Sequence, residues 1–293
     1  MLDRLYHTLD PTAFTIGGME IRWYGLAWIA GFLGAALLFA RIARRWKIRI
    51  EADSILTFLI ACMLGAVIGG RLGYVLFYGQ GYYFAHPLEI LATRAGGMSF
   101  HGGLLGLAIG IIIAARITRI PILTLGDLAA ITAPVGLGLV RIANFVNGEL
   151  WGAPTTLPWG VVFDNTGGGM LPRHPTQLYE ALLEGLVLLL ILYFLSRARP
   201  PYPRGTYFGV FLIGYGVFRI AIEFVRLPDA QIGYLFGTGW LTMGMLLSLP
   251  MILLGGFLLG YARQTRHPQT GQVQTTAEQK AQGEQKNGGK GVE

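Results

Sequence analysis

The sequence predicts an all-α integral membrane protein: a seven-transmembrane-helix bundle with a small external cap and an amphipathic external arm. Three observations predict it. Hydrophobic residues make up 53% of the chain and charged residues 13%, with a mean hydropathy of +0.51, where an ordinary soluble domain holds about 25% charged residues. The apolar runs have spanning length, and 293 residues can hold roughly six to eight spans of about 20 residues in a single compact bundle. The basic residues gather in the short loops between those runs, as they do in multi-pass topologies.

Residues 1 to 21 are mixed and expected outside, with Phe14 and Ile16 resting on the membrane interface. Trp23 and Tyr24 open a first span that stops at Arg41, Arg44, Arg45, Lys47 and Arg49, and five basic residues in one loop place it in the cytoplasm. The second span, 54 to 77, repeats Gly65, Gly69 and Gly73 every four residues and carries Arg71. Such small-residue stripes let helix backbones approach in lipid. From Tyr78 to Gly97 an aromatic segment with Tyr82, Tyr83 and Phe84 makes the arm at headgroup level. A third span, 99 to 115, starts at S-F-H-G-G, repeats the stripe at Gly102, Gly106 and Gly110, and ends at Arg116 and Arg119.

The fourth span returns from 123 to 147, with Asp127 read as a charge near the helix start. Residues 148 to 174 are too broken for a span and too apolar for a linker, so they form the cap. Pro175 opens the fifth span, which ends at Arg197, Arg199 and Arg204; the sixth covers 205 to 226, and the seventh runs from 238 to Arg263 and Arg266. The arrangement divides into an external segment 1 to 21, a catalytic membrane domain 22 to 263, and a tail, 264 to 293, too poor in apolar residues to fold. The loop charges put the N-terminus outside and the C-terminus in the cytoplasm.

Composition also excludes. One cysteine, Cys62, permits neither a disulfide nor a cysteine-ligated metal site. The net charge of +7 is spread over loops rather than along a binding stripe, which argues against nucleic acid. No basic region precedes an apolar core at the N-terminus, so no cleavable signal peptide is expected. Neither H-E-x-x-H, a P-loop nor a complete serine-nucleophile elbow occurs.

The polar residues inside the spans fall at one depth. Tyr24 and His101 open their helices on the outer side, and Arg71, Arg141, Arg219 and Glu223 occupy the outer halves of theirs. Arg219, Glu223 and Arg226 share a helix face, and so do Gln177, Glu180 and Glu184. An arginine at mid-bilayer costs roughly 2.5 to 3.5 kcal/mol on insertion scales, so each needs a partner or a task. Arg71 reads equally well as a packing, gating or ligand residue. Arg141 is either a structural cation tied to a carboxylate or, with Asn144 and Asn147 as donors around it, an anion holder. Two cations at one depth suit a phosphodiester, which arginine binds with its planar fork. His101 is either a helix-start polar residue or a proton acceptor near neutrality.

These residues resemble a family, the bacterial phosphatidylglycerol:prolipoprotein diacylglyceryl transferases. The resemblance rests on G-L-V-R-I-A-N-F-V-N-G-E-L-W-G at 138 to 152, S-F-H-G-G at 99 to 103, R-H-P-T-Q-L-Y-E at 173 to 180 and F-R-I-A-I-E-F-V-R at 218 to 226. It covers roughly residues 15 to 262. Ala153 departs from the basic residue expected after W-G. The resemblance implies an enzyme of the bacterial cytoplasmic (inner) membrane with its active site toward the outer leaflet. Its partners are phosphatidylglycerol, preprolipoproteins bearing a lipobox cysteine, and the bilayer; it uses no metal and no cofactor.

The catalytic set it implies is His101, Arg141 and Arg219. Arg141, Tyr24, Asn144, Asn147, Glu149, Gly152, Glu223 and Arg226 then bind substrate. Arg141 and Arg219 take the phosphate, and the base is His101 or a carboxylate such as Glu223. The alternative is a transporter or flippase for an anionic lipid, which favours mid-membrane sites between repeated halves. No internal repeat is visible.

Overall fold

The computed structural model describes residues 1–79, 81–92, 97–228 and 233–271, with the backbone alone at Phe100 and His101. Among the described residues, six helices are long and apolar enough to cross a membrane: Trp23–Arg45, Ala52–Phe77, Ile122–Asn147, Thr176–Leu195, Thr206–Glu223 and Met243–Thr265. The expected span at 99 to 115 is the helix Phe100–Thr118, whose described apolar stretch, Gly102–Thr118, is shorter than the others. In place of the single bundle expected, the chain divides into two compact units, Met1–Trp46 with Gly126–Gln269, and Lys47–Leu125 with the residues after Gln269.

The second unit is built on glycine. A Cβ on Gly106 would collide with the Gly65 carbonyl, and one on Gly73 would lie 2.8 Å from the Gly102 Cα. The two stripes read in the sequence are therefore each other's contact surface, backbone against backbone. Arg71, only 6% exposed, is a pin. Its Nε donates to the Ile90 carbonyl (2.7 Å), Nη1 to Gly97 (2.9 Å) and Nη2 to Glu89 (2.6 Å). The guanidinium also lies 5.0 Å from the Tyr83 ring centroid. Among the three readings left open for Arg71, these bonds favour the packing one, since a guanidinium's donors are here spent on the backbone of the segment around Tyr82–Ala85 and Pro87–Leu91. That segment leaves Phe84, Leu88 and Leu91 exposed.

The first unit begins with structure the sequence reading missed. Residues 1 to 21 hold a short helix, Leu2–Tyr6, and an antiparallel hairpin of Thr12–Ile16 with Met19–Arg22. The turn is Gly17-Gly18, both at positive φ, as a tight two-residue hairpin turn requires. Tyr6 packs with Phe145, Val161 and Phe163 and donates to Asn165 Oδ1 (2.7 Å), so the N-terminal helix is part of the core beneath residues 148 to 174.

Asp127 corrects a second expectation. It lies in the second turn of Ile122–Asn147, fully buried, and serves another helix. Its carboxylate accepts from Gly205 N (2.7 Å) and Phe208 N (2.8 Å), capping Thr206–Glu223, and from Gln269 Nε2 (2.6 Å). A helix start leaves backbone N–H groups unpaired, and a carboxylate satisfies them and favours the dipole. The last helix, expected to end at Arg263 and Arg266, runs from Met243 to Thr265, and the chain stays engaged through Gln269; residues 272–293 lie outside the described residues.

Candidate functional site

Three elements of the first unit bring their charges together. Ile122–Asn147 carries Arg141 near its end, Thr176–Leu195 carries Glu180, and Thr206–Glu223 carries Arg219 and Glu223, with Arg226 just beyond. Glu180 is the centre. Its Oε1 accepts from Arg219 Nη1 (2.9 Å) and Arg226 Nη1 (2.8 Å), and Arg141 Nε lies 2.6 Å from Oε2. The Arg141 contact is ionic rather than a well-aimed hydrogen bond, because Oε2 has no donor pointing at it. Glu223 pairs with Arg219 Nη2 and lies 3.9 Å from Arg226 Nε.

The Glu180 side chain is 1% exposed, while Arg141, Arg219 and Arg226 keep 20%, 15% and 12%. Three guanidiniums pair with two carboxylates, and the interior Glu184 carboxyl also interacts with all three. Arg141 and Arg219 thus converge on one carboxylate instead of turning apart. Of the two readings for Arg141, the tie to a carboxylate is observed.

The helix carrying Glu180 is not regular. Ala181–Val187 is π-helical, and a wide turn of this kind is most often found at functional sites. It places Glu184 in the interior with neither carboxylate oxygen hydrogen-bonded. Gly185 permits the bulge to sit against Ile122–Asn147, since a Cβ there would lie 2.6 Å from the Gly138 Cα.

The asparagines do something other than expected. Arg141 Nη1 donates to Asn144 Oδ1 (3.2 Å), and the amides of Asn144 and Asn147 both donate to Glu149 Oε1, at 2.7 and 3.1 Å. Their donors orient Glu149 rather than stand free around an anion. The Glu149 carbonyl accepts from Gln177 Nε2, and Leu150 O from Thr176 Oγ1 (2.8 Å). The sharp turn after Asn147, with Gly148 and Leu150 at positive φ, is thereby stitched to the start of Thr176–Leu195.

Gly152, expected to touch substrate, acts through its backbone. Its N–H donates to the His174 carbonyl (2.9 Å), and Ala153 N donates to Val225 O (2.9 Å), which fixes the chain beside Arg226. A Cβ on Gly152 would lie 2.5 Å from Val225 O and 2.7 Å from Thr176 Cγ2. Gly152→Ala is therefore expected to cost about 1–3 kcal/mol from overpacking and to displace Arg226, read as a lower melting temperature in detergent.

Tyr24 packs edge-on to Trp28, and among the described residues no contact ties it to the arginines. The His101 side chain lies outside the described residues. Its helix is capped by Ser99, whose Oγ accepts from Gly102 N (3.2 Å). The glycine after it, Gly102, faces Gly69 and Gly73, so another backbone fills the space it leaves.

Sequence reasoning missed the weight of Glu180, although its face shared with Gln177 and Glu184 was the signal. It also passed over Arg173 and His174. Arg173 stacks 4.2 Å from the Trp151 ring and donates from Nη1 to Gly152 O (3.3 Å). Burial pulls the His174 imidazole below its ordinary pKa. Its Nδ1 lies 3.3 Å from the Tyr179 hydroxyl, which accepts from Trp159 Nε1 (2.7 Å).

Six helices of spanning length, with partly buried arginines gathered around Glu180 and Glu223, define a multi-pass membrane protein. Comparison with known proteins makes the class specific. The family described as prolipoprotein diacylglyceryl transferase matches residues 11–261, and the chain belongs to it. A protein of Geobacter sulfurreducens named phosphatidylglycerol–prolipoprotein diacylglyceryl transferase is 49% identical over 247 residues, 84% of this chain and 93% of its own length. Proteins of the same name from Brucella canis and Brucella ovis are each 49% identical over 257 residues, 85% of this chain and 90% of theirs.

Proposed function

We propose that this chain transfers the diacylglyceryl group of phosphatidylglycerol to the lipobox cysteine thiol of preprolipoproteins. The observation that carries the reading is the cluster of Arg141, Arg219 and Arg226 around Glu180, in a chain whose close relatives bear that activity as their name. Those relatives are transferases by name, not transporters. The thiol sulfur attacks the glyceryl carbon bonded to the phosphate oxygen. The C–S bond forms, the C–O bond breaks, its electron pair leaves on the phosphate as glycerol 1-phosphate, and the thiol proton passes to a base.

Arg141 and Arg219 meet the departing phosphate, where fixed cations in a water-poor site contribute several kcal/mol. Glu180 and Glu223 hold the guanidiniums in place, and Arg226 completes the set. Asn144, Asn147 and Glu149 form the wall behind Arg141, with Tyr24 and Gly152 lining the site. The base is His101 or a carboxylate such as Glu223, which faces Arg219 and Arg226.

The same reading places the protein in the bacterial inner membrane with seven spans, the Phe100–Thr118 helix included. The N-terminus, the arm around Tyr82 and the cap of residues 148 to 174 lie outside, and the C-terminus lies in the cytoplasm. The loop charges support this orientation.

Incubating the purified chain with phosphatidylglycerol and a lipobox peptide should yield the thioether product by mass. Arg141→Ala is expected to lower turnover on the order of 10²–10³-fold while leaving folded protein in detergent; near-normal turnover would reject the phosphate assignment. His101→Gln should lose about 10²-fold or more, and full activity at every pH removes it as the base.

A further inference from the structure

Away from the arginine cluster, at the basic end of the first unit, Leu195 closes one spanning helix, Thr206 opens the next, and Met243–Thr265 runs past both. Between them lies a groove of about 340 Å³. Leu195, Pro203, Val210 and Leu259 make its apolar walls, and Tyr202 and Arg263 stand at its edge. Gly209 and Gly255 hold two of the helices in backbone contact close by, a Cβ on Gly209 falling 2.9 Å from Gly255 O, so the groove has a fixed floor.

The charge around it is one-sided. Segments 195–210 and 259–269 contain Arg197, Arg199, Arg204, Arg263 and Arg266 and no aspartate or glutamate. Asp127 reaches this end, but its oxygens are already occupied by Gly205, Phe208 and Gln269. Arg204 Nε is spent on the Pro268 carbonyl (2.7 Å), whereas Arg263 is exposed. An apolar slot beside the exposed Arg263 suits a ligand with a hydrocarbon tail and a negative head.

We infer that this groove holds one anionic phospholipid, its acyl chain along Leu195, Val210 and Leu259 and its phosphate at Arg263. The inference rests on the proposed membrane reading for its leaflet, the cytoplasmic one, and is independent of the transfer chemistry.

The test uses the full chain in detergent, titrated with phosphatidylserine or phosphatidylcholine, with bound lipid counted by native mass spectrometry. Phosphatidylserine should bind about tenfold more tightly than phosphatidylcholine. Arg263→Gln should lose about tenfold of that affinity, the equivalent of one charge-assisted contact, and Val210→Trp should abolish it by filling the slot. Both variants should melt normally without lipid and transfer from phosphatidylglycerol at the parent rate; Arg263→Gln decides alone if the tryptophan variant does not fold. Equal binding of the two lipids, binding unchanged by Arg263→Gln, or loss of the bound lipid on Arg141→Ala would overturn the site. A parent protein that binds phosphatidylserine as described but performs no transfer would instead overturn the proposed function.

Discussion

Glu180→Gln should be the most damaging single substitution in the arginine cluster, lowering stability by about 3–5 kcal/mol, the usual result of removing one partner from a buried ion pair. The carboxylate is fully buried and meets Arg141, Arg219 and Arg226 at 2.6 to 2.9 Å. An amide can still accept a hydrogen bond, but it cannot neutralise charge, and of the two carboxylates paired with the guanidiniums only Glu223 would remain. They should spread apart, so transfer should fall at least as far as for Arg141→Ala, together with the melting temperature. Combining Glu180→Gln with Arg226→Gln removes one surplus cation and should recover part of the lost melting temperature but little activity. A Glu180→Gln protein that melts and turns over normally would contradict the central position given to this carboxylate.

Asp127→Ala should destabilise the fold by roughly 2–5 kcal/mol, combining a lost helix cap with buried donors left unpaired. Gly205 N, Phe208 N and Gln269 Nε2 all lose their acceptor. The segment after Thr265 should come loose, so limited trypsin digestion should cut at Arg266 in the variant well before the parent. Asp127→Asn, which keeps an acceptor, should lie between the two. Unchanged melting and unchanged digestion would show that the cap contributes nothing.

The spanning helices were legible because long apolar runs bounded by arginines have few other solutions in a membrane. The glycine stripes were legible for a similar reason: Gly65 and Gly69 repeat at the spacing of one helix face, and Gly102 and Gly106 repeat at the same spacing. What escaped depended on partners distant in sequence. Asp127 looks like a charge near a helix start until Gly205, 78 residues on, is found against it. Glu180 is one of three polar residues on its face, and its rank follows from three arginines on two other elements. The hairpin at Thr12–Ile16 and Met19–Arg22 was readable in Gly17-Gly18, but its strands are so short that mixed composition hid it. The donors of Asn144 and Asn147 were assigned to a ligand because Glu149, two residues beyond Asn147, was not weighed as their acceptor.

The π-helical stretch at Ala181–Val187 makes one residue surplus to an ordinary helical count. Relative to an unbroken α-helix, Leu188–Leu195 is rotated by about 100°, one residue's worth of turn. Deleting a single leucine from this stretch would therefore leave a smooth, equally greasy helix of almost the same length. It would also leave Leu188 and Leu192, now buried, on the inward side, whereas straightening the bulge with every residue kept would swing them toward the side where lipid lies. The bulge is invisible to hydropathy, yet it decides which side of the rod looks inward.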